Sequence, residues 1–391
     1  MKRHLLLLCL VIGLGSLMAQ SGQEYWQSVN PTIAKTLERK KPFPTTYKAF
    51  QLDFDQLKTL LGQAPLEDNA QGNTLTVSLP GPDNQWIEFD IVETLVMPTS
   101  LGAKYPGIKT FLGRATNDPY TSVRLDFTYS GFHAMIRSTE YIWWVEPVSV
   151  GNTETYLGFY HKDANDPGFT EDHVCGVKGD HPGSEIRPGS AQRNNSGEQL
   201  RTYVVAFASD AGFTVTSGGR LNAISDITTA TNFMNGILEE EFSIRFQLTP
   251  NNDLLVFDAA TDPYTSNNPP LAPTWFSDIL QENTSRLNAI IGSNSYDIGH
   301  VCTGGAGGGA AGIAFLRGAC NAGLKGGGVS SDVSGGVGVG FYLIFSHEIG
   351  HQLGASHTFH SDMFECSGGN RSASSAYEPG NGSTIMGYPR C

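Results

Sequence analysis

No stretch of the 391 residues is both long and apolar enough to cross a bilayer. The nearest approach is Leu5 to Leu17, which follows Lys2, Arg3 and His4 and precedes Met18-Ala19-Gln20. A basic start, a short apolar run and small residues form a secretory signal, so residues 1–19 are expected to be removed and the rest exported. Positive charge is scarce as well. Lys and Arg number 25 against 38 Asp and Glu, a net charge of −13, and residues 201–391 hold 8 against 16. That sign argues against nucleic acid or an anionic membrane as partner. No G-x-x-x-x-G-K-[ST] loop is present to cradle a phosphate. Gly307 to Gly312 formally fits G-x-G-x-x-G, but 15 glycines lie between Thr303 and Gly340 and no βαβ unit surrounds them, so the match carries nothing.

Cysteine is sparse. Of six, Cys9 leaves with the signal, and Cys302, Cys320, Cys366 and Cys391 suggest two disulfides in an exported protein. Three pairings are open; Cys302–Cys320 with Cys366–Cys391 is favoured because each closes a local loop. Cys175 is then left over, and an unpaired thiol in an exported protein calls for its own explanation.

What is present divides the chain in two. Alternating or apolar runs at Leu75–Leu79, Trp86–Val92, Val123–Phe127, Gly131–Ile136 and Tyr141–Val145 predict a β-rich domain over residues 20–177. His133, inside one of these strands, is expected to be a hydrogen-bonded structural residue, and His300 and His360 are expected to be structural or surface residues. Residues 178–199, rich in Gly, Pro, Ser and Asn, predict an exposed linker open to proteolytic nicking. From residue 200 strands alternate with long helical patterns. The strands are expected at Thr202–Ala208, Ile244–Leu248, Leu254–Phe257 and Tyr296–Val301, and the helices at Gly219–Glu241, Pro273–Ile291 and Val339–Leu353. This order predicts an α/β layered sheet over residues 200–391.

The densest chemistry lies at His347-Glu348-Ile349-Gly350-His351-Gln352-Leu353-Gly354-Ala355-Ser356-His357. Two histidines four apart share one helix face, and Glu348 stands about 100° round from His347, able to reach a water without binding a metal itself. His357 would fall on the far side if the helix continued. Gly354 can end the helix in the left-handed conformation and turn the chain back. Three imidazoles and a vacancy for water make the donor set of a catalytic Zn2+ site.

This H-E-x-x-H-x-x-G-x-x-H run resembles the metzincin zinc metalloproteases. Ser383-Thr384-Ile385-Met386-Gly387-Tyr388 resembles their Met-turn, and His173-Val174-Cys175-Gly176-Val177 resembles the cysteine switch of reprolysin-type propeptides. The resemblance points to a bacterial reprolysin (adamalysin)-like enzyme. It implies a metzincin catalytic domain, a twisted mixed sheet carrying the active-site helix, behind a β-rich inhibitory propeptide. It further implies Zn2+ on His347, His351 and His357, Glu348 as general base then acid, and Met386 beneath the ligands. Cys175 would be the zinc ligand of the latent form. Tyr388 would be a zinc ligand, a hydrogen-bond donor to the reacting group, or a wall residue. Gly312-Ile313-Ala314 is the candidate edge strand for an extended substrate. The implied activity is secreted endopeptidase action on proteins and peptides, with the propeptide as inhibitor.

Two features depart from the pattern. Thr358 stands after the third ligand, where reprolysins carry aspartate, and the chain ends five residues past Met386, so it is either minimal or shortened. A non-catalytic zinc-stabilised binding module is therefore the alternative, and retention of Glu348 speaks against it.

Overall fold

A computed structural model describes residues 21–37, 43–165, 173–177, 199–265, 273–304, 309–332, 337–363, 366–367 and 369–387. The expected signal and nearly all of the expected linker lie outside them. Among the described residues no helix is long and apolar enough to cross a membrane.

The N-terminal half is one antiparallel sheet of β1 (Trp26–Val29), β2 (Lys48–Leu52), β3 (Leu75–Pro80), β4 (Trp86–Thr94), β5 (Lys109–Ala115), β6 (Asp118–Thr128), β7 (Gly131–Arg137), β8 (Ile142–Pro147) and β9 (Thr155–Tyr160). The spatial order is β1-β2-β9-β8-β7-β6-β5-β4-β3. Alternation turns one face of the sheet into a core of its own, while β7, β8 and β9 are buried on both faces. Phe89, Ile91, Phe111, Leu125 and Phe132 pack there with Trp26 and Tyr156, covered by Leu57 and Leu61 of a short helix, Phe54–Leu61. All five strands expected from the sequence form, each within two residues of the expected ends except β6, which runs further N-terminally.

The second sheet holds β10 (His173–Cys175), β11 (Arg201–Ser209), β12 (Ile244–Leu248), β13 (Ile298–Gly304), β14 (Gly309–Ala314) and β15 (Gly328–Asp332), in the order β10-β14-β15-β13-β11-β12. Strands β12, β11, β13 and β15 are parallel, and β14 runs antiparallel to β15. Parallel strands covered on both faces read as unbroken apolar runs, and Val205 to Ala208 are all fully buried. Strand β10, on the N-terminal side of the linker, joins this sheet rather than the first, parallel to β14.

Three helices matter for the site: α1 (Arg220–Phe242), α2 (Pro273–Ile290) and α3 (Val339–Leu353). Helix α3 packs Phe345 edge-on against Phe207 of β11 at 4.9 Å and Phe341 against Phe213 at 5.4 Å. Its other flank meets the N-terminal sheet, where Trp144 stacks on Tyr342 at 5.7 Å. Helix α1 lies between the two sheets and buries a polar face. Thr229 donates to Asp126, Asn232 donates to the Leu125 carbonyl, and Ser130 donates to Asp226. His133 contacts Asp126 at 3.1 Å in this buried network, a structural role as expected.

Two expectations are corrected. Leu254–Phe257 is no strand: Asn252–Leu255 forms a 3-10 turn, and only Val256 makes an isolated bridge, to Ser209. The Asn252 side chain accepts from Phe207 N and donates to Phe207 O, both at 2.9 Å, so an amide side chain takes the place a strand would have filled. The Cys302–Cys320 bridge is absent, both residues being free thiols. Cys320 N bonds the Asp297 carbonyl at the start of β13, whereas Cys302 lies five residues further along. At about 3.3 Å per residue that is about 16 Å, beyond the roughly 7 Å a disulfide spans. The second expected bridge joins buried Cys366 to Cys391, and Cys391 lies outside the described residues.

Candidate metal centre

Helix α3 carries His347, Glu348 and His351 toward β14, all fully buried. It stops at Gly354, whose φ of 109° is left-handed backbone that side-chain-bearing residues rarely adopt. The Gly354 and Ala355 amides close onto Gly350 and His351 carbonyls, and the reversed chain brings His357 back over the helix.

The three rings converge. Nε2 of His347 lies 3.1 Å from that of His351 and 3.2 Å from that of His357, and the remaining pair is 3.2 Å apart. Three N–H groups cannot face one another at that spacing. Each ring instead donates from Nδ1 to a backbone carbonyl: His347 to Ile385 at 2.7 Å, His351 to Ala355 at 2.7 Å and His357 to Asn370 at 2.5 Å. Those bonds fix the tautomer and leave three Nε2 lone pairs aimed at one point. Burial and the nearby His357 hold the His347 imidazole down to about 3, so it is neutral and able to ligate.

A fourth donor joins them. Cys175 Sγ is 3.4 Å from His351 Nε2, and the sulfur and three nitrogens all lie within 4.8 Å of one another, every residue buried. A tetrahedral zinc with bonds of about 2.05 Å to nitrogen and about 2.3 Å to sulfur separates its donors by about 3.3 and 3.5 Å. The three nitrogens fit the ion in chemistry and in spacing, and the sulfur stands at a fourth donor's distance from His351. Cys175 is carried there by β10, which pairs with β14 so that Gly176 N bonds the Gly312 carbonyl at 2.8 Å.

Glu348 faces the same cavity wall. Neither carboxylate oxygen meets a hydrogen-bond partner at ordinary geometry; burial pushes the group up to about 8, and the Cys175 thiol pulls it the other way. Gly312 makes the space: a Cβ there would stand 2.5 Å from Glu348 Cγ and 2.7 Å from the Val329 carbonyl oxygen. Met386 lies against the helix at Gly350, between His347 and His351 in the chain, where an added Cβ would meet its Sδ at 2.5 Å.

The structure thus gathers His347, His351, His357 and Cys175 around one point, with Gly354 making the turn, Glu348 beside Gly312 and Met386 against Gly350. Strand β14, including Gly312-Ile313-Ala314, flanks them, and the edge expected to be open carries β10. Tyr388 lies outside the described residues. His300 stays apart, buried between Gln352 and Ser330 as a structural residue. Sequence reasoning missed the orienting carbonyls of Ala355, Asn370 and Ile385, which no side chain announces. It also missed Phe359, stacked on the His357 ring at 5.2 Å.

Residues 199–390 match the model of the metallo-peptidase family M12B, reprolysin-like. A solved structure, metalloproteinase-II from Bacteroides fragilis, aligns with a TM-score of 0.43 at 13% identity, covering 80% of this chain and 87% of that one. That likeness is too distant to place any residue. No curated protein matches the chain.

Proposed function

Since residues 199–390 belong to the reprolysin-like M12B metallopeptidases, we propose that the chain is the latent precursor of a secreted zinc endopeptidase. The carrying observation is the convergence of three Nε2 atoms at 3.1–3.2 Å, each ring locked by a carbonyl on its Nδ1. His347, His351 and His357 would hold the zinc, and Cys175 would supply the fourth donor in the latent form, where the active enzyme would bind water. Bound zinc supplies Lewis acidity, acidifying water and polarising the scissile carbonyl.

The protein's own groups do the rest. Glu348 takes the proton of the attacking water on its carboxylate and returns it to the departing amine. Its dry surroundings favour the neutral acid, which suits the second half of that cycle; water returning once Cys175 leaves favours the carboxylate that begins it. Strand β14 offers an extended peptide its backbone groups, the place β10 now occupies. Latency therefore has two parts, a thiolate on the metal and a strand on the substrate edge. Release of both follows from cutting the 178–199 segment. The Glu348→Ala variant, activated by such a cut, should keep its zinc and lose nearly all peptide hydrolysis; substantial cleavage by it would remove Glu348 from the mechanism.

A further inference from the structure

Thr358 is the position where reprolysins carry aspartate, and the reading above leaves it without a role. In the fold it reaches a carboxylate that lies twenty residues on, Glu378. We propose that Glu378 is a positioning residue of the metal centre: it clamps the segment after His357 to the turn around Met386, so that His357 and His347 are held in one geometry for zinc.

The connections are specific. Glu378 Oε1 accepts from Thr358 Oγ1 and from Thr384 Oγ1, the latter at 2.5 Å. Oε2 accepts from Ser383 N at 2.5 Å and Thr384 N at 3.0 Å, with Ser383 Oγ at 3.4 Å. The backbone reinforces the clamp: Glu378 N donates to Thr358 O at 2.8 Å, His360 N donates to Glu378 O at 2.9 Å, and Thr358 N donates to Met386 O at 3.3 Å. A single peptide bond thus joins the clamp to each ligand's support. Thr358 is bonded directly to His357 in the chain, and Thr384 precedes Ile385, whose carbonyl orients His347.

An ionised carboxylate serves best here, since it presents acceptors alone to two backbone N–H groups and two hydroxyls, and its charge strengthens each bond. Burial raises the Glu378 pKa, but the donors from Ser383, Thr358 and Thr384 outweigh it and bring it to about 2, so the charge persists at neutral pH. A glutamine can keep its oxygen on the two N–H groups only by turning its NH2 to the two hydroxyls, so every charge-assisted bond of the clamp becomes a neutral one of about half the strength.

The inference rests on the zinc reading, and the test separates the two. Wild-type full chain and Glu378→Gln are compared for zinc affinity by chelator competition, and for the visible absorption of Co2+ placed in the site. The variant should bind zinc about 10–100-fold more weakly and show altered cobalt bands, at an unchanged melting temperature of the metal-free protein. Zinc affinity within about twofold of wild type, whether or not the melting temperature falls, overturns the proposal. Should Glu378→Gln not fold, Thr358→Val carries the test: it breaks one contact, and unchanged zinc affinity overturns the proposal equally. A wild-type chain that takes up no zinc overturns the metal-site reading itself and this inference with it.

Discussion

Replacing Gly312 with alanine tests whether the substrate edge and the base share one closely fitted wall. The new Cβ would lie 2.5 Å from Glu348 Cγ, 2.8 Å from Glu348 Cδ and 2.7 Å from the Val329 carbonyl oxygen. Ordinary carbon contacts need about 3.5–4.0 Å, so the shortfall is about 1 Å. Val329 is backbone in β15, fixed opposite Ile313 by the ladder, and cannot retreat. The Glu348 side chain must therefore give way, and β14 must draw back from Val329 at Gly312. Overpacking of this kind costs about 1–3 kcal/mol, and a displacement of about 1 Å at a catalytic group costs about 100-fold in rate. The three nearest atoms belong to Glu348 and Val329 and none to a histidine ring, so zinc should stay. The assay is peptide hydrolysis by the activated variant, measured beside its zinc content. Hydrolysis within about twofold of wild type at full zinc occupancy would refute the fit.

Two further outcomes follow from the same geometry. The full-length Cys175→Ser chain should hydrolyse peptides at least about tenfold faster than the wild-type precursor before any cut, since a hydroxyl is a poorer zinc ligand than a thiolate. It should stay below the fully activated enzyme because β10 still covers β14, and a rate equal to the wild-type precursor would exclude the latch. His300 provides a pH test. Burial lowers it to about 4 from an ordinary 6.5, with Gln352 pulling the other way. A histidine whose folded pKa is depressed contributes stability above its unfolded pKa, lost as pH falls from about 6.5 through about 4. At full burial the loss is about 3 kcal/mol, and His300→Gln should flatten that part of the stability profile in urea unfolding; an unchanged slope would place the acid sensitivity elsewhere.

The parts of this protein legible in its sequence are those set by local pattern. Helix α3 and strand β12 form over the expected residues because their apolar spacing and bounding glycines or turns act within one element. The convergence of His347, His351 and His357 was legible because a helix repeat and one left-handed glycine fix their relation. Non-local choices were not. Strand β10 pairs with β14 in the second sheet, a partnership its three residues do not announce, although the motif around Cys175 points to a place among the histidines. The supposed Leu254–Phe257 strand lost its place to the Asn252 side chain. The Cys302–Cys320 pairing was judged by closeness in sequence, whereas an extended strand drives its two ends apart. Glu378 carried no signal, because its donors come from two segments that only the fold brings together.

X-ray absorption at the zinc edge of the purified full-length chain tests the central claim most directly. The account predicts one zinc per chain with three nitrogen scatterers at about 2.0–2.1 Å and one sulfur at about 2.3 Å, the sulfur vanishing in Cys175→Ser and the zinc in His351→Ala. A chain free of zinc, or zinc that remains unchanged when His351 is removed, would contradict it.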